Sequence, residues 1–443
     1  MVLDMIDRYG QENVVLWKSD LANACGLLFV RAEQAPLLAV ELTGGLTAIH
    51  ICATFGFNGT PYAFAVVTRV LERASQRQID GRVKMYVDDG MGCSHKRLLS
   101  KDMNKFAKVC EDLLGPKAMA YDKSESGRRM TFIGWLIDLD EGTISVAPHN
   151  FNKTLYGFFS VDLDKEYVEK KLLEKLASYA SRYSLVARQM RPFVHSLHVC
   201  KNSSGSIRGA VKITEEARLD IMMWRVFLML LKLRSSSYCR KLSSFRTWDP
   251  RVVFCYDSSL SGCGLVIYLP GMCSPGQALR VLSLITPFDL KGDSSFQNSM
   301  EFLAVAIGFV VLVIMGWRDV PVLIIGDSVA SETWCIKENF RSTVSRRASL
   351  LYMLVGVRFN IWVQEVQFIE GIHNVIPDRL SRRDSEQTAE SLVTELGFDE
   401  SRLWKPDKKT EELISLCNPS TPLRGEGDLQ DFWGVVRKYL DEL

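Results

Sequence analysis

No two cysteines in this chain stand at metal-ligand or redox-pair spacing. Its 11 (Cys25, Cys52, Cys93, Cys110, Cys200, Cys239, Cys255, Cys263, Cys273, Cys335 and Cys417) are scattered, odd in number and without a C-x-x-C. That argues against a disulfide-stapled secreted scaffold and for reduced thiols in an intracellular protein, cytoplasmic or nuclear. Charge of one sign is also missing. The 54 Lys and Arg stand against 52 Asp and Glu, a net charge of +2, so the chain is not polybasic. The amino terminus, MVLDMIDRYG, carries charges where a signal peptide would have its apolar core. The most apolar run, Phe302 to Trp317, has 16 residues and follows Glu301 directly. A bilayer span needs about 20, so this run reads as a buried core helix, and no membrane partner is expected. Internal repeats and long low-complexity tracts are absent too.

The 443 residues, 47% hydrophobic and 24% charged, suffice for two to four domains with real cores. Residues 13–17 (NVVLW) read as a strand that ends near Asp20. LANACGLLFV reads as a tight turn or short helix leading into another strand. Residues 36–42 (PLLAVEL) and 49–55 (IHICATF) read as strands broken by T-G-G. Pro61 opens an apolar helical stretch, where its missing N–H costs nothing. VKMYV-DD-GMGCS reads as strand, turn, strand. Met103, Phe106, Val109, Cys110 and Leu113 then recur at helical steps, and TFIGWLIDLDEGTISVAP reads as a hairpin. Together these predict an α+β region on an antiparallel sheet. Residues 165–233 read as mostly helical, with a helix start at Thr214 ahead of Glu215 and Glu216. From Val252 to near Arg383, strands and helices alternate in a mixed α/β pattern. Residues 386–443 hold 7 basic and 13 acidic residues, with helical pieces and no motif.

Two carboxylates stand side by side in KMYVDDGMG, Lys84 to Gly92. Adjacent like charges repel and Asp is a poor strand former, so the pair is either a solvated turn or a metal site that uses the repulsion. Asp88 and Asp89 lie at a hairpin tip, and Asp20 ends a neighbouring strand. Such acids suit two magnesium (or manganese) ions about 3.5–4 Å apart in phosphoryl transfer. A second set follows. Asp257 and Asp327 end strands, Glu301 opens the apolar helix, and Asp378 lies in HNVIPDRLSRRD. The plain alternative is four surface acids.

In this order the stretches resemble retrotransposon reverse transcriptases joined to ribonuclease H. SDLANAC resembles the first palm motif, with Asp20 as metal aspartate. FGFNGTPYAF resembles the second, which places Phe55, Gly56 and Pro61 at template and nucleotide. YVDD resembles the third. Lys123 precedes F-I-G where the family has a lysine before F-L-G, and the hairpin after it matches the primer grip. This part of the resemblance covers about residues 12–155. D-S-S-L-S-G-C-G-L, M-E-F-L-A and N-V-I-P-D-R-L-S-R resemble the four-acid ribonuclease H pattern. RPFVHSLH and the helix after it resemble the thumb and connection, more of the DIRS-like than the gypsy type.

The resemblance implies a palm over 1–155 with most of the fingers absent and a helical thumb and connection over 156–250. A mixed α/β ribonuclease H domain over 251–385 and an acidic tail over 386–443 would follow. It implies RNA-directed DNA polymerisation and hydrolysis of RNA in hybrids, with two Mg2+ (or Mn2+) per site. The implied partners are an RNA template, a DNA primer, RNA–DNA hybrid and dNTPs. Residues 201–251 hold 11 Lys and Arg against 4 Asp and Glu, so phosphate contacts and salt-sensitive binding are expected there. Two features depart from the family. Cys25 replaces the aromatic residue that excludes ribonucleotides, and only 19 residues precede Asp20. They motivate the rival reading, a polymerase-dead relic that binds nucleic acid or keeps only ribonuclease H activity. Phe368 aligns where many relatives have a histidine, which leaves His373 as a weak candidate for product release. His195, His198 and Cys200 read as helix packing, and GMG is no phosphate loop because no G-K-[ST] follows.

Overall fold

The computed structural model describes residues 1–54, 59–203, 209–233, 239–245, 251–290, 292–337, 344–421, 423 and 426–442. The chain is mixed α and β and divides into two units. One is Met1–Ala147 with Lys241–Arg246; the other is Pro148–Arg240 with Thr247–Leu443.

Unit 1 has helices α1 (Val2–Tyr9), α2 (Gly59–Gln76) and α3 (Leu99–Leu114). Its strands are β1 (Val14–Leu21), β2 (Ala39–Glu41), β3 (Thr47–Ile49), β4 (Arg82–Tyr86), β5 (Asp89–His95), β6 (Met119–Gly127), β7 (Arg129–Phe132), β8 (Trp135–Asp138) and β9 (Thr143–Val146). The main sheet runs β4-β5-β1-β6, with every neighbouring pair antiparallel. Its core forms around Trp17, which is fully buried with Phe64 of α2 and Phe106 of α3. A Cβ at position 92 would stand 1.9 Å from the Trp17 ring, so the second glycine of GMG serves packing. The indole Nε1 donates to Ser94 Oγ at 2.9 Å, and Ser94 donates to Asp102 Oδ2 at 2.7 Å. Asp102, fully buried, also accepts from the N–H groups of Asp80 and Gly81.

Two expected strands are much shorter than the sequence suggests. Residues 35–38 form a 3-10 turn and β2 keeps only three residues, while β3 ends at Ile49. This hairpin is exposed at nearly every position, so no buried face extends the pairing. LANACGLLFV becomes the 3-10 turn Ala24–Leu27 and a single bridge, Phe29 to Cys52. The FIGW stretch, expected within one arm of a hairpin, is itself a turn. Phe132 pairs with Trp135 across Ile133 and Gly134, whose φ of 49° and 81° suit a two-residue hairpin loop.

Unit 2 opens with α4 (Pro148–Phe159), β10 (Tyr167–Glu169), α5 (Lys170–Tyr183), α6 (His195–Lys201), β11 (Ala210–Lys212) and α7 (Glu215–Leu233). Thr214 caps α7, its Oγ1 accepting from the Ala217 N–H at 3.2 Å. Trp224 packs among Phe158, Tyr183 and Phe227 and donates its Nε1 to Phe193 C=O at 2.8 Å, so it is a core residue. A short strand, β12 (Cys239–Lys241), ends this helical part.

Next come β13 (Val252–Ser258), β14 (Gly262–Tyr268), β15 (Arg280–Ile285), α8 (Gln297–Ile314), β16 (Val320–Gly326), α9 (Val329–Lys337), α10 (Arg346–Phe359), β17 (Ile361–Phe368) and α11 (Val375–Ser381). The sheet order is β15-β14-β13-β16-β17. β13 is antiparallel to β14 but parallel to β16, and β16 is parallel to β17. Successive β13 side chains point to opposite faces. Phe254 meets Phe309 of α8, while Val253 packs with Leu380 of α11. Residues 299–313 of α8 are all buried, and Phe302 and Phe309 stack near Tyr352 of α10. Among the described residues this helix alone is long and apolar enough to cross a membrane, yet 83% of its most apolar window is buried in the protein. That agrees with the core-helix reading.

The last segment is packed as well. α12 (Ala389–Glu395) places Leu392 and Val393 in the β13–β14 core, and Trp404 donates its N–H to Val281 of β15. α13 (Lys408–Ser415) and α14 (Glu426–Glu442) meet through Thr410 Oγ1 and Tyr439 Oη at 2.7 Å. Arg358 of α10 pairs with Asp441 at 3.0 Å.

Candidate metal centres

In unit 2, β13 carries Asp257, the first turns of α8 carry Glu301, and Asp327 follows β16 directly. One carboxylate oxygen of each lies within 4.8 Å of the others. Asp257 and Glu301 are only 3% and 4% exposed, a costly place for two carboxylates. Burial, with the Asp257 charge adding to it, pushes Glu301 up to about 8. Burial likewise pushes Asp257 up to about 6, although a hydrogen bond from Ser381 works the other way. Glu301 Oε1 accepts from Gln297 Nε2 at 2.9 Å, and the same amide donates to Ser258 C=O at 2.6 Å. Glu301 Oε2 is buried with no hydrogen-bond partner. An orphaned oxygen among three converging acids is what a divalent cation satisfies, and an all-carboxylate donor set suits magnesium or manganese. The residues fit the metal.

Asp378 reaches the same neighbourhood but is not in the tight set. Its charge bears on Asp257, its side chain is 42% exposed, and Arg382 pairs with it one turn on. His373 lies in the 3-10 turn before α11, and Phe368, half exposed, ends β17.

Four further residues shape this centre; Asn374 and Ser381 belong to the N-V-I-P-D-R-L-S-R stretch, but the partners of all four are set only by the fold. Gln297 orients Glu301 from one turn earlier. Asn374 Nδ2 donates to Tyr256 C=O at 3.0 Å. Ser381 Oγ donates to Asp257 Oδ2 at 2.6 Å. Glu332 of α9 is 6% exposed with Oε1 unpartnered, and burial, with the Asp327 charge behind it, pushes it up to about 7.

The glycines of S-G-C-G-L admit α11. A Cβ at 264 would stand 2.1 Å from Pro377 O, and one at 262 would stand 2.5 Å from Ser381 O. Both obstacles are backbone atoms, so Gly264→Ala is expected to cost about 1–3 kcal/mol or more. Urea unfolding would read the loss, with Gly276→Ala, whose Cβ meets nothing within 4 Å, as the near-neutral control. Equal stability of the two variants would contradict the packing.

In unit 1 the β4–β5 turn is Val87–Asp88, closed by the Tyr86–Asp89 pair. Val87 has φ of 54°, a conformation a β-branched residue seldom adopts and one that tends to mark functional sites. Asp20 lies opposite Asp89 in the β1–β5 register, and the Leu21 N–H donates to Asp88 C=O at 3.0 Å. All three acids thus stand at one end of the sheet. Burial, then the charges of Asp88 and Asp20, push Asp89 upward. Lys123 of β6 holds Asp20 through its Nζ. Among the described residues these acids do not gather as tightly as those of unit 2. The Lys123 ammonium occupies the Asp20 oxygen a cation would use, and Asp88 sits out on the turn. A divalent cation would relieve the repulsion on Asp89, so the donor set suits it once Lys123 releases Asp20.

The other expected binding residues are less informative. Pro61 is exposed, the third residue of α2. Cys25 has its backbone in the Ala24–Leu27 turn, and its side chain lies outside the described set. Phe55 and Gly56 lie outside the described residues. His198 Nε2 meets Ser181 Oγ at 2.9 Å, and Cys200 Sγ donates to Lys212 C=O, so this cluster is packing.

The basic stretch is partly committed within unit 2. Lys212 pairs with Glu166 at 2.6 Å, Arg218 donates to Lys165 C=O, and Arg225 donates to Phe158 C=O. Arg240 is buried over the Trp362 ring. These four are structural cations, which reduces the set free to meet phosphates.

No family model matches the sequence, and no curated protein matches it. Solved structures that it resembles include a foamy viral protease-reverse transcriptase dRH in complex with double-stranded DNA. That likeness has 14% identity and a TM-score of 0.41, and covers 80% of this chain and 56% of that one. The foamy viral protease-reverse transcriptase in complex with RNA/DNA hybrid gives 13% identity and a TM-score of 0.40, over 84% of this chain and 46% of that one. The chain spans about half the length of these two structures. Likeness at this level assigns no family, and the functional reading rests on the acids.

Proposed function

We propose that this chain is the palm-to-ribonuclease H part of a retrotransposon-type reverse transcriptase, and that hydrolysis of RNA in RNA–DNA hybrids is its firmest activity. The observation that carries this is the convergence of Asp257, Glu301 and Asp327, from three separate elements, around an orphaned Glu301 oxygen. Unit 1 supports the polymerase half through the Asp20, Asp88 and Asp89 end of its sheet. The proposed domains are 1–155, 156–250, 251–385 and 386–443.

Two divalent cations, when bound, would supply an activated water or hydroxyl and steady the leaving oxygen. In unit 2, Asp257, Glu301 and Asp327 would hold the first ion, and Asp378 would complete the second position on leaving Arg382. Gln297 keeps Glu301 turned inward. In unit 1, Asp20, Asp88 and Asp89 would hold the ions, with Lys123 released toward the triphosphate of a dNTP. The template strand, primer and hybrid would lie along phosphate contacts from cations not already committed. The rival, a nuclease with a silent palm, is favoured by one observation: Lys123 ties up Asp20.

One gel separates the readings. Purified protein is incubated with magnesium, dNTPs and a labelled DNA primer on a differently labelled RNA template. RNA cutting is expected, and Asp327→Asn should reduce it by more than the 10- to 100-fold typical of losing a group that merely supports a metal ligand. Primer extension lost in Asp88→Asn would establish the polymerase as well. Intact RNA throughout would overturn the hydrolytic reading.

A further inference from the structure

We infer that Ser381 is a positioning residue for the unit 2 centre: its hydroxyl holds one oxygen of Asp257 and leaves the other to the cation. The inference rests on the hydrolytic reading above. Ser381 and Asp257 are 2% and 3% exposed, and their 2.6 Å hydrogen bond spans 124 residues of sequence. The hydroxyl takes one lone pair of Oδ2 and fixes the rotation of the carboxylate, which favours Oδ1 for the cation.

The hydroxyl has little freedom to leave. Ser381 C=O accepts from Ser259 Oγ at 2.8 Å, and its neighbour Leu380 is fully buried, with a C=O that accepts from Ser283 Oγ at 2.8 Å. Gly262 and Gly264 press the backbone from the β14 side, where any Cβ would collide. The alternative acceptor for the hydroxyl is Asp378 C=O, one turn back at 2.9 Å. One proton serves one acceptor at a time. A hydroxyl turned to Asp378 would free Asp257 to rotate or to bind through both oxygens. The seven-residue helix α11 thus carries the last acid, Asp378, and the group that orients the first.

The test uses the full chain and needs no turnover. Mn2+ is titrated into wild type, Ser381→Ala, Ser381→Thr, Ser381→Cys and Asp257→Asn, with free Mn2+ read by electron paramagnetic resonance. The Mn2+ site lost in Asp257→Asn is the one followed. Ser381→Ala is expected to weaken that site 10- to 100-fold, while Ser381→Thr, which keeps the hydroxyl, stays within about threefold of wild type. Ser381→Cys, nearly the same size with a weak donor, should follow Ala and covers the case that Ala does not fold. Wild-type affinity within about twofold in Ala or Cys would overturn the role of Ser381 alone. A wild-type protein with no site sensitive to Asp257→Asn would overturn the centre together with it.

Discussion

Metal-free protein should lose stability as pH rises from 5 to 9, and millimolar Mg2+ or Mn2+ should restore it. Three buried carboxylates drive this. Glu301 is pushed up to about 8, Glu332 to about 7 and Asp257 to about 6. A carboxylate raised on folding binds its proton more tightly in the folded state than in the unfolded one. Its contribution is therefore complete below the unfolded value near 4.3 and is lost as pH climbs through the folded value. For Glu301 alone the range from the ordinary glutamate value to about 8 corresponds to roughly 5 kcal/mol. The charges of Asp327 and Asp378 add to the upward push on Asp257 and Arg382 opposes them, while Asp257 and Glu301 bear directly on each other and so titrate as a coupled pair. The melting of unit 2 should fall by several degrees between pH 5 and pH 8.5 without metal. Glu301→Gln keeps the acceptor for Gln297, removes the proton and should flatten much of the fall. A melting temperature independent of pH, or unmoved by metal at pH 8.5, would contradict the reading of these acids.

Arg346→Ala should be among the most damaging single substitutions in unit 2. Asp220 of α7 is 97% buried and is held by Arg346 of α10 and by Ser196 Oγ. Burial still pushes it up to about 6, against the pull of both partners. Removing the guanidinium leaves a buried carboxylate without its counter-charge, a change that costs about 3–5 kcal/mol. Urea unfolding measures this directly. The double variant Asp220→Leu with Arg346→Met removes both charges at similar volume and should recover most of the loss. A penalty below about 1 kcal/mol for Arg346→Ala would class the pair with ordinary surface bridges. The pair has further support, since Gln189 Nε2 donates to Ile361 C=O and Arg240 lies over Trp362, so the helical part is held to β17 as well as to α10.

The acids are legible in the sequence because each marks a boundary of a strongly patterned element. Asp257 and Asp327 close apolar strands, Glu301 opens an apolar helix, and Asp88 follows an apolar run into a turn. What orients them is not legible. Gln297 stands at the start of the long helix α8 and Ser381 at the end of the short α11, and only the tertiary fold brings Ser381 to Asp257. Glu332 carries no local signal, because its burial comes from α8 and β17 packing against α9. The exposed hairpin of β2 and β3 is shorter than its sequence pattern predicts for the opposite reason. Its apolar residues alternate well, but Val40 and Ile49 face solvent, so the pattern had no core to fix its length. The bond from Lys123 to Asp20 joins two recognisable motifs, yet the motifs alone do not say that they neutralise each other without metal.

Helix α8 sets a problem of timing during synthesis. Its apolar surface is buried on one side by strands made earlier, β13 and β14, and on the other by α10. That helix, α10, is completed only at Phe359, 45 residues after Ile314. At about 5–20 residues per second, the ribosome needs roughly 2–9 s to make that stretch. Through that interval a segment apolar enough to pass for a membrane span is finished while half of its binding surface does not yet exist. Nascent chains of this protein should therefore be captured by cellular holdases mainly when synthesis has passed Ile314 but not Phe359, and released once α10 covers the helix.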